Sequence, residues 1–310
     1  MPSPEKSDLR TRSDPPFAAN GAAAVTGVEG AGGERPGGRL SRRRPRRRRE
    51  AFRLRGRLST WQFLATSAFV FLALFAAWWL TTELELVDPL FLPPPDEVFS
   101  KLWEVARDGT LFEDAKISIV RIMVGFVLAT VMAVPIGVLI GTYRIWEAAL
   151  EPLTDFIRYM PVVAFVPLTI IWIGTDDTQK YAIIWIGTFF QQVLMVMDNV
   201  KRTPHDFVDI GRTLGMSDRS ILARIVVPSS APAIWDSMRI TLGWAWTYLT
   251  LAELVAATSG LGYRITVGQR FFQTDLIIGY ILVLGVLGLL TDQLMKFAGR
   301  RLFGWAEPQR

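Results

Sequence analysis

Asp209-Ile210-Gly211-Arg212-Thr213-Leu214-Gly215, followed by Ile225 and by Val227-Pro228, is the most specific pattern in this chain. It lies in a polar, charged segment, 199–230, with strongly apolar sequence on both sides. Gly215 stands ten residues before Ile225 and thirteen before Pro228. The spacing predicts a helical turn beginning at Asp209 and a break at Gly215, where glycine alone has the backbone freedom for a sharp turn. A second short helix follows, capped by Ser217 or Asp218, with Ile221, Leu222 and Ile225 on its apolar side and Pro228 as its stop. Between membrane spans, such a patterned segment makes sense as a docking element gripped by a soluble partner. The energy source then lies on another chain.

Composition agrees. Half of the 310 residues are hydrophobic, the mean hydropathy is +0.28, and there are 11 Trp and 19 Phe. Apolar residues in such long blocks point to a multi-span membrane protein. The absence of Cys excludes disulfides, thiolate metal sites and a Cys nucleophile together. With His205 as the single histidine, a His-based metal cluster or triad within one chain is not expected. The net charge of +5 divides unevenly: residues 1–58 carry fifteen Lys and Arg against six acids, whereas the remainder is mildly acidic. The chain is therefore not a generally basic nucleic-acid binder.

Residues 1–40 are rich in Pro, Gly, Ala, Ser and Arg without an apolar period and read as disordered. The run Arg42-Arg43-Arg44-Pro45-Arg46-Arg47-Arg48-Arg49 reads either as a nucleic-acid arm or as a cytoplasmic anchor touching anionic lipid head groups. Its closeness to the first apolar segment favours the anchor. Hydropathy predicts six spans, each near the ~20 residues that a ~30 Å hydrocarbon core requires. They run over Trp61–Leu80, Ile117–Gly141, Phe156–Ile173, Tyr181–Met197, Ala231–Ala257 and Leu276–Met295. Pro161 and Pro167 interrupt the third, which predicts a kinked or broken helix facing a pathway.

Lys and Arg set the orientation. The first tail, the 199–230 loop and the C-terminal end are basic, while residues 81–116 carry nine acids against three bases. The positive-inside rule then puts both termini and the 199–230 loop in the cytoplasm, as six spans require. In the outer loop, Pro93-Pro94-Pro95 is a stiff lead-in, Asp96 is placed to cap a helix from Glu97, and Val98, Leu102, Val105 and Ala106 give it an apolar side.

The 209–228 stretch resembles the signature of ATP-binding-cassette importer permeases, the EAA loop: Glu-Ala-Ala, three residues, Gly, nine residues, Ile, one residue, Leu-Pro. Here Asp209-Ile210-Gly211 stands at the triplet, Gly215, Ile225 and Pro228 fall in register, and Val227 replaces Leu. Three further stretches look like the nitrate, sulfonate, taurine and bicarbonate branch of that family: Leu92–Val98, Ser118–Phe126 and Ala252–Tyr263. The resemblance covers about residues 60–304. It implies an all-α membrane protein with six transmembrane helices, the type I importer transmembrane domain, in the cell inner membrane. It divides the chain into a basic cytoplasmic tail (1–58), a first transmembrane helix with a periplasmic amphipathic segment (59–115), a core (116–298) holding the coupling loop, and a C-terminal cytoplasmic tail (299–310).

The resemblance also implies partners. A second permease, a copy of this chain or a homologue of it, pairs with it; ATPase subunits dock beneath; and an extracytoplasmic solute-binding protein delivers a small solute. Asp209, Gly215, Ile225 and Pro228 would couple to the ATPase. No cofactor is expected on this chain, since no Gly is followed by Lys and a phosphate-binding loop is therefore missing; ATP and Mg belong to the partner. Membrane lipids are expected neighbours and nucleic acid is not.

Ionisable residues within spans are costly and mark functional hypotheses. Arg239 and Glu253 lie fourteen residues apart on the fifth span, roughly 20 Å along nearly one face. That face, with Thr247 and Thr250, would line the translocation path. Alternatively Arg239 snorkels to the inner surface and Glu253 is paired near the outer one. Arg121 reads as an interface or structural charge. The rival function, a self-contained secondary transporter or channel, predicts inverted repeats that this sequence does not display.

Overall fold

The computed structural model describes residues 59–306. The basic tail read over residues 1–58, with its arginine run, and residues 307–310 lie outside the described residues. The described chain is helical: α1 (Thr60–Glu83), α2 (Pro95–Arg107), α3 (Thr110–Thr142), α4 (Arg144–Arg158), α5 (Phe165–Ile173), α6 (Asp177–Lys201), α7 (His205–Thr213), α8 (Asp218–Ile221), α9 (Val227–Ala256), α10 (Leu261–Arg270) and α11 (Thr274–Leu302). Four of these, α1, α3, α6 and α11, are long and apolar enough to cross a membrane singly. The other two expected spans are bent pairs. The chain turns by 80° between α4 and α5, and by 48° between the α8–α9 rod and α10.

The third expected span is thus corrected: residues 156–158 belong to amphipathic α4, and only α5 continues the apolar path. Pro161 is the cause. It supplies no N–H to the preceding turn and holds extended backbone at φ −66 and ψ 122, so α4 cannot run on. Pro167, in the first turn of α5, removes a donor that the helix start would leave unpaired anyway.

The packing centre is the α3–α6 pair. On α3, Gly125, Ala129, Ala133, Gly137 and Gly141 recur every fourth residue and are turned to α6. A Cβ added at Gly137 would come within 2.6 Å of Val196 Cβ and 2.7 Å of the Val193 carbonyl oxygen. At Gly141 it would meet Val200 Cβ at 2.8 Å and the Met197 carbonyl oxygen at 2.9 Å. Small residues at this spacing let two backbones approach, which is how apolar helices gain packing energy when lipid offers no hydrophobic drive. α9 lies against the other side of this pair, and Trp246, Leu249, Ile122, Ile184 and Tyr280 form the core that also holds α11.

At one end, α2 packs across the start of α11, with Val98 fully buried and Leu102 against Gly279. The expected Asp96 cap is not made. The helix begins at Pro95, with Pro94 in the cap position, and Asp96 and Glu97 occupy the first turn near the positive end of the helix dipole. In the α2–α3 turn the Asp108 carboxylate accepts the Thr110 amide at 2.8 Å, which holds its pKa below the ordinary carboxylate value. α1 buries none of its residues; Trp78 Nε1 donates to the Pro93 carbonyl at 3.1 Å, and Phe75 meets Phe99.

Gly137→Leu is expected to destabilise the protein by about 1–3 kcal/mol, because the obstacles at that site are backbone and a β-branched stem. Intrinsic tryptophan fluorescence on heating in detergent checks it; an unchanged transition would refute the close approach.

Candidate functional site

The 199–230 segment folds as a unit. α6 ends at Lys201, Pro204 occupies the cap position of α7, and α7 runs from His205 rather than from Asp209. The expected start is thereby corrected. Proline before the helix fixes extended backbone and marks the start, and Asp209 falls mid-helix, 3.6 Å from Arg212. α7 ends as a Schellman motif: the Met216 amide donates to the Gly211 carbonyl at 3.0 Å and the Gly215 amide to the Arg212 carbonyl at 2.9 Å. Gly215 has φ +73 with open space where a Cβ would stand, so its requirement for glycine is purely conformational. Ser217 takes the cap position of α8, but its hydroxyl makes no capping bond.

The expected stop at Pro228 is also corrected. Helix α8 passes through a π-helical turn, Leu222–Val226, directly into α9. Pro228 falls at the second position of that last segment, where the widened turn before it leaves its missing N–H without consequence. The second short helix is therefore the base of a span. Beneath the segment, Val208, Met216, Ile221, Ile225 and Val226 pack with Val138, Val196, Val200 and Ile234 of the spans. Gly211 closes the angle between α7 and α8, since a Cβ there would stand 2.9 Å from Ile225 Cδ1 and 3.1 Å from Ile221 Cγ1. The third and the isoleucine positions of the motif are thus contact partners.

On its outer side α7 leaves Phe207, Ile210 and Leu214 47%, 56% and 74% exposed. At i, i+3 and i+7 they make one apolar strip, which the sequence could have yielded on spacing alone. Between α7–α8 and the α3–α4 junction lies a cleft of about 610 Å³ bordered by Arg144, Lys201, His205 and Arg212 and by Glu147, Asp209 and Asp218. Lys201 bridges to Glu147 at 2.7 Å and to Glu151 at 3.3 Å, which ties the end of α6 to α4.

At the opposite ends of the spans a buried ionic network holds α3, α6, α9 and α10 together. Arg121 is its hub. Nη1 donates to Glu253 Oε1 at 2.8 Å and to the Ser259 carbonyl at 2.7 Å, while Nε and Nη2 reach Asp177 Oδ1 at 2.9 and 2.6 Å. Glu253 also accepts Ser118 Oγ–H at 2.8 Å and the Gly262 amide at 2.8 Å. Asp114 accepts the Gly260 amide at 3.0 Å and Arg264 Nε at 2.6 Å. Lys180, nearly fully buried, donates to the Ala256 carbonyl at 2.7 Å and to the Thr175 carbonyl, satisfying the end of α9. Gly260, at φ +107, permits the turn; a Cβ there would collide with Glu253 Oε1 and stand 2.8 Å from Arg121 Nη1.

The four pathway candidates are not brought together. Glu253 is 1% exposed and committed to the network. Arg239 lies 3.6 Å from Asp292 of α11 and 3.7 Å from Asp236, with its Nε buried and without an acceptor. Thr250 donates to the Trp246 carbonyl one turn back at 2.8 Å, and Thr247 is exposed. Sequence reasoning missed Asp114, Ser118, Asp177 and Lys180. Arg121 and Glu253 were visible as charges in apolar surroundings, but not as a pair 132 positions apart.

Residues 133–304 match the family model described as "Binding-protein-dependent transport system inner membrane component". The taurine transport system permease of Escherichia coli is 32% identical over 237 residues, spanning 75% of this chain and 86% of that protein. The bicarbonate transport system permease of Synechococcus elongatus is 28% identical over 195 residues, 62% of this chain and 70% of its own. Among solved structures, an inward-facing MetNI methionine ABC transporter chain superposes with a TM-score of 0.51 at 20% identity, covering 67% of this chain and 99% of that one. That likeness is one of fold.

Glu253→Ala, which leaves Arg121 buried with one carboxylate fewer, is expected to cost about 3–5 kcal/mol. Glu253→Gln should cost less, since its amide oxygen still accepts from Gly262 and Ser118. In a thermal-unfolding double-mutant cycle, Arg121→Met with Glu253→Ala should fall well short of the sum of the single effects; additive losses would disprove the coupling.

Proposed function

This chain belongs to the family of binding-protein-dependent transport system inner membrane components, and from that membership we infer how it works: it is the permease subunit of an ATP-driven importer. It is a multi-pass inner-membrane protein with the type I importer fold. In our reading both termini and the 199–230 segment face the cytoplasm, in line with their Lys and Arg excess. The ATPase is a separate chain that binds ATP and Mg, a second copy of this chain completes the path, and an extracytoplasmic solute-binding protein delivers the cargo. The cargo class is a small anion, in line with the sulfonate group of taurine and with bicarbonate, for which the two similar permeases are named.

The observation that carries the reading is the α7–α8 element. It presents an unpartnered apolar strip, Phe207, Ile210 and Leu214, over a core that makes it stiff. An ATPase groove closing on that strip would move α7 and α8 together, because Gly211 is jammed against Ile221 and Ile225. The π-helical turn hands the movement to α9, and Lys201 hands it to α4 through Glu147 and Glu151. Asp209 and Arg212, exposed beside the strip, would set the register of docking.

Leu214→Asp should weaken association with the ATPase about thirty-fold or more, as truncating an interface hot spot does, and co-purification from detergent reads this directly. Gly215→Val should leave the spans folded yet abolish substrate-stimulated ATP turnover in the assembled transporter. Transport driven by substrate alone, in vesicles that contain this chain and no ATPase, would overturn the importer reading.

A further inference from the structure

The charges that the sequence offered for the pathway are occupied, but one other cation stands at mid-depth. Arg158 is the last residue of α4, at the break before Pro161. With Ile157, Met160 and Val162 it borders a hollow whose other walls are Ile186, Gly187, Phe190 and Gln191 of α6 and Tyr248 of α9. Gln191 lies about 21 Å along α6 from Asp177 and about 15 Å from Lys201, at 1.5 Å per residue. The hollow is therefore near the middle of the most deeply buried span, with the guanidinium also within electrostatic reach of Asp198 toward the Lys201 end.

Its surroundings are unlike those of Arg121. Arg158 Nε donates to Asp155 at 2.8 Å and Nη2 to the Tyr159 hydroxyl at 2.9 Å, with the guanidinium over that ring. Its side chain stays 30% exposed, Asp155 43%, and Tyr159 74%. Ionised groups at this depth are too costly to turn toward lipid and are retained where they face water or another protein surface. Tyr248 is seated flat on Gly187, and neither its hydroxyl nor the Gln191 amide makes a hydrogen bond to protein among the described residues. Three unspent donors, Arg158 Nη1, Tyr248 Oη–H and the Gln191 amide, thus border one hollow. That hollow measures about 40 Å³, room for little more than a water molecule. It is one wall of a site, not the whole of it.

We propose that Arg158, with Tyr248 and Gln191, forms one wall of an anion-selective station in the translocation path. Its guanidinium takes the planar or tetrahedral oxyanion head of the cargo (a sulfonate or a carboxylate), and the facing surface of the second permease copy supplies the other wall. The proposal rests on the importer reading above. The chemistry is that of guanidinium recognition: a fixed fork of N–H donors matches two oxygens of one anionic group. Asp155 holds the fork in place and Asp198 of α6 also acts on the guanidinium, so that a cargo anion must displace or share an existing partner rather than fall into a deep trap.

The chain has no Cys, so single cysteines can be placed without background. In membrane vesicles holding the assembled transporter, Tyr159→Cys and Gln191→Cys would be treated with two thiol reagents. One is anionic (2-sulfonatoethyl methanethiosulfonate) and one cationic (2-trimethylammonioethyl methanethiosulfonate), each rate normalised to a free thiol in solution. We expect labelling from water, with an anionic-to-cationic rate ratio about ten-fold higher than in Arg158→Gln, because the guanidinium is the charge that the anionic reagent meets. Arg158→Gln should lose that preference, and Arg158→Lys should keep most of it. No labelling at either position with or without nucleotide, or an unchanged ratio in Arg158→Gln, would overturn the station. Because labelling needs no ATP turnover, it can be repeated on vesicles holding this chain alone: the expected preference there, together with no ATPase retained by the chain on co-purification, would sink the importer reading and leave the aqueous anion path standing.

Discussion

The Arg121 guanidinium joins four separate parts of the chain at one buried point. It sits on α3, reaches Asp177 at the start of α6 and Glu253 near the end of α9, and holds the Ser259 carbonyl in the turn before α10. Such a charge would be ruinous alone in an apolar interior; with every donor directed at an acceptor it becomes a positional constraint. Ser118, Gly262, Asp114 and Arg264 extend the same lattice of bonds, and Gly260 is small because the carboxylate and guanidinium leave no room for a side chain. The close α3–α6 approach below it depends on this registry. A shift of one helical turn would move the stripe Gly125, Gly137 and Gly141 off Ile184, Val196 and Val200 only if the ion pair were broken first.

The two ends of the spans are built from different physics. One is polar, largely buried and densely hydrogen-bonded. At the other, apolar packing under α7 and α8 is combined with a strip of apolar side chains that the chain leaves open. A rigid, satisfied end and an unsatisfied, exposed end suit a subunit that is fixed on one side and driven from the other. The charge balance agrees, with the basic residues gathered in the 199–230 segment and the acids in 81–116.

Much of this was legible in the residues. Hydropathy located all the long apolar helices, and the glycine at position 215 marked its turn because a Schellman motif calls for positive φ. Pro161 announced the break between α4 and α5. Pro228 misled, because the N–H that proline lacks is not needed where the preceding turn, the π-helical Leu222–Val226, is widened rather than regular. Asp209 misled in another way, since the edge of a sequence motif is not the edge of a helix. The ionic network was beyond reach for a simpler reason: charge in an apolar segment is visible locally, while its partner is chosen by tertiary packing. Arg158 went unnoticed because α4 was not recognised as turning inward at its end.

The uninterrupted passage from α8 through the π-helical turn into α9 has a geometric consequence. From Asp218 to Ala256 the backbone contains no non-helical joint. At 1.5 Å per residue this shaft is about 58 Å long, enough to run from the docking element to the ionic lattice in one piece. Rotation imposed at its foot must emerge at its head, and there Glu253 and the Lys180-bound Ala256 carbonyl are fastened to α3 and α6. The shaft is thus continuous but not uniform: Pro232 removes one of its backbone donors, and its two ends are set by the glycine turns at Gly215 and Gly260.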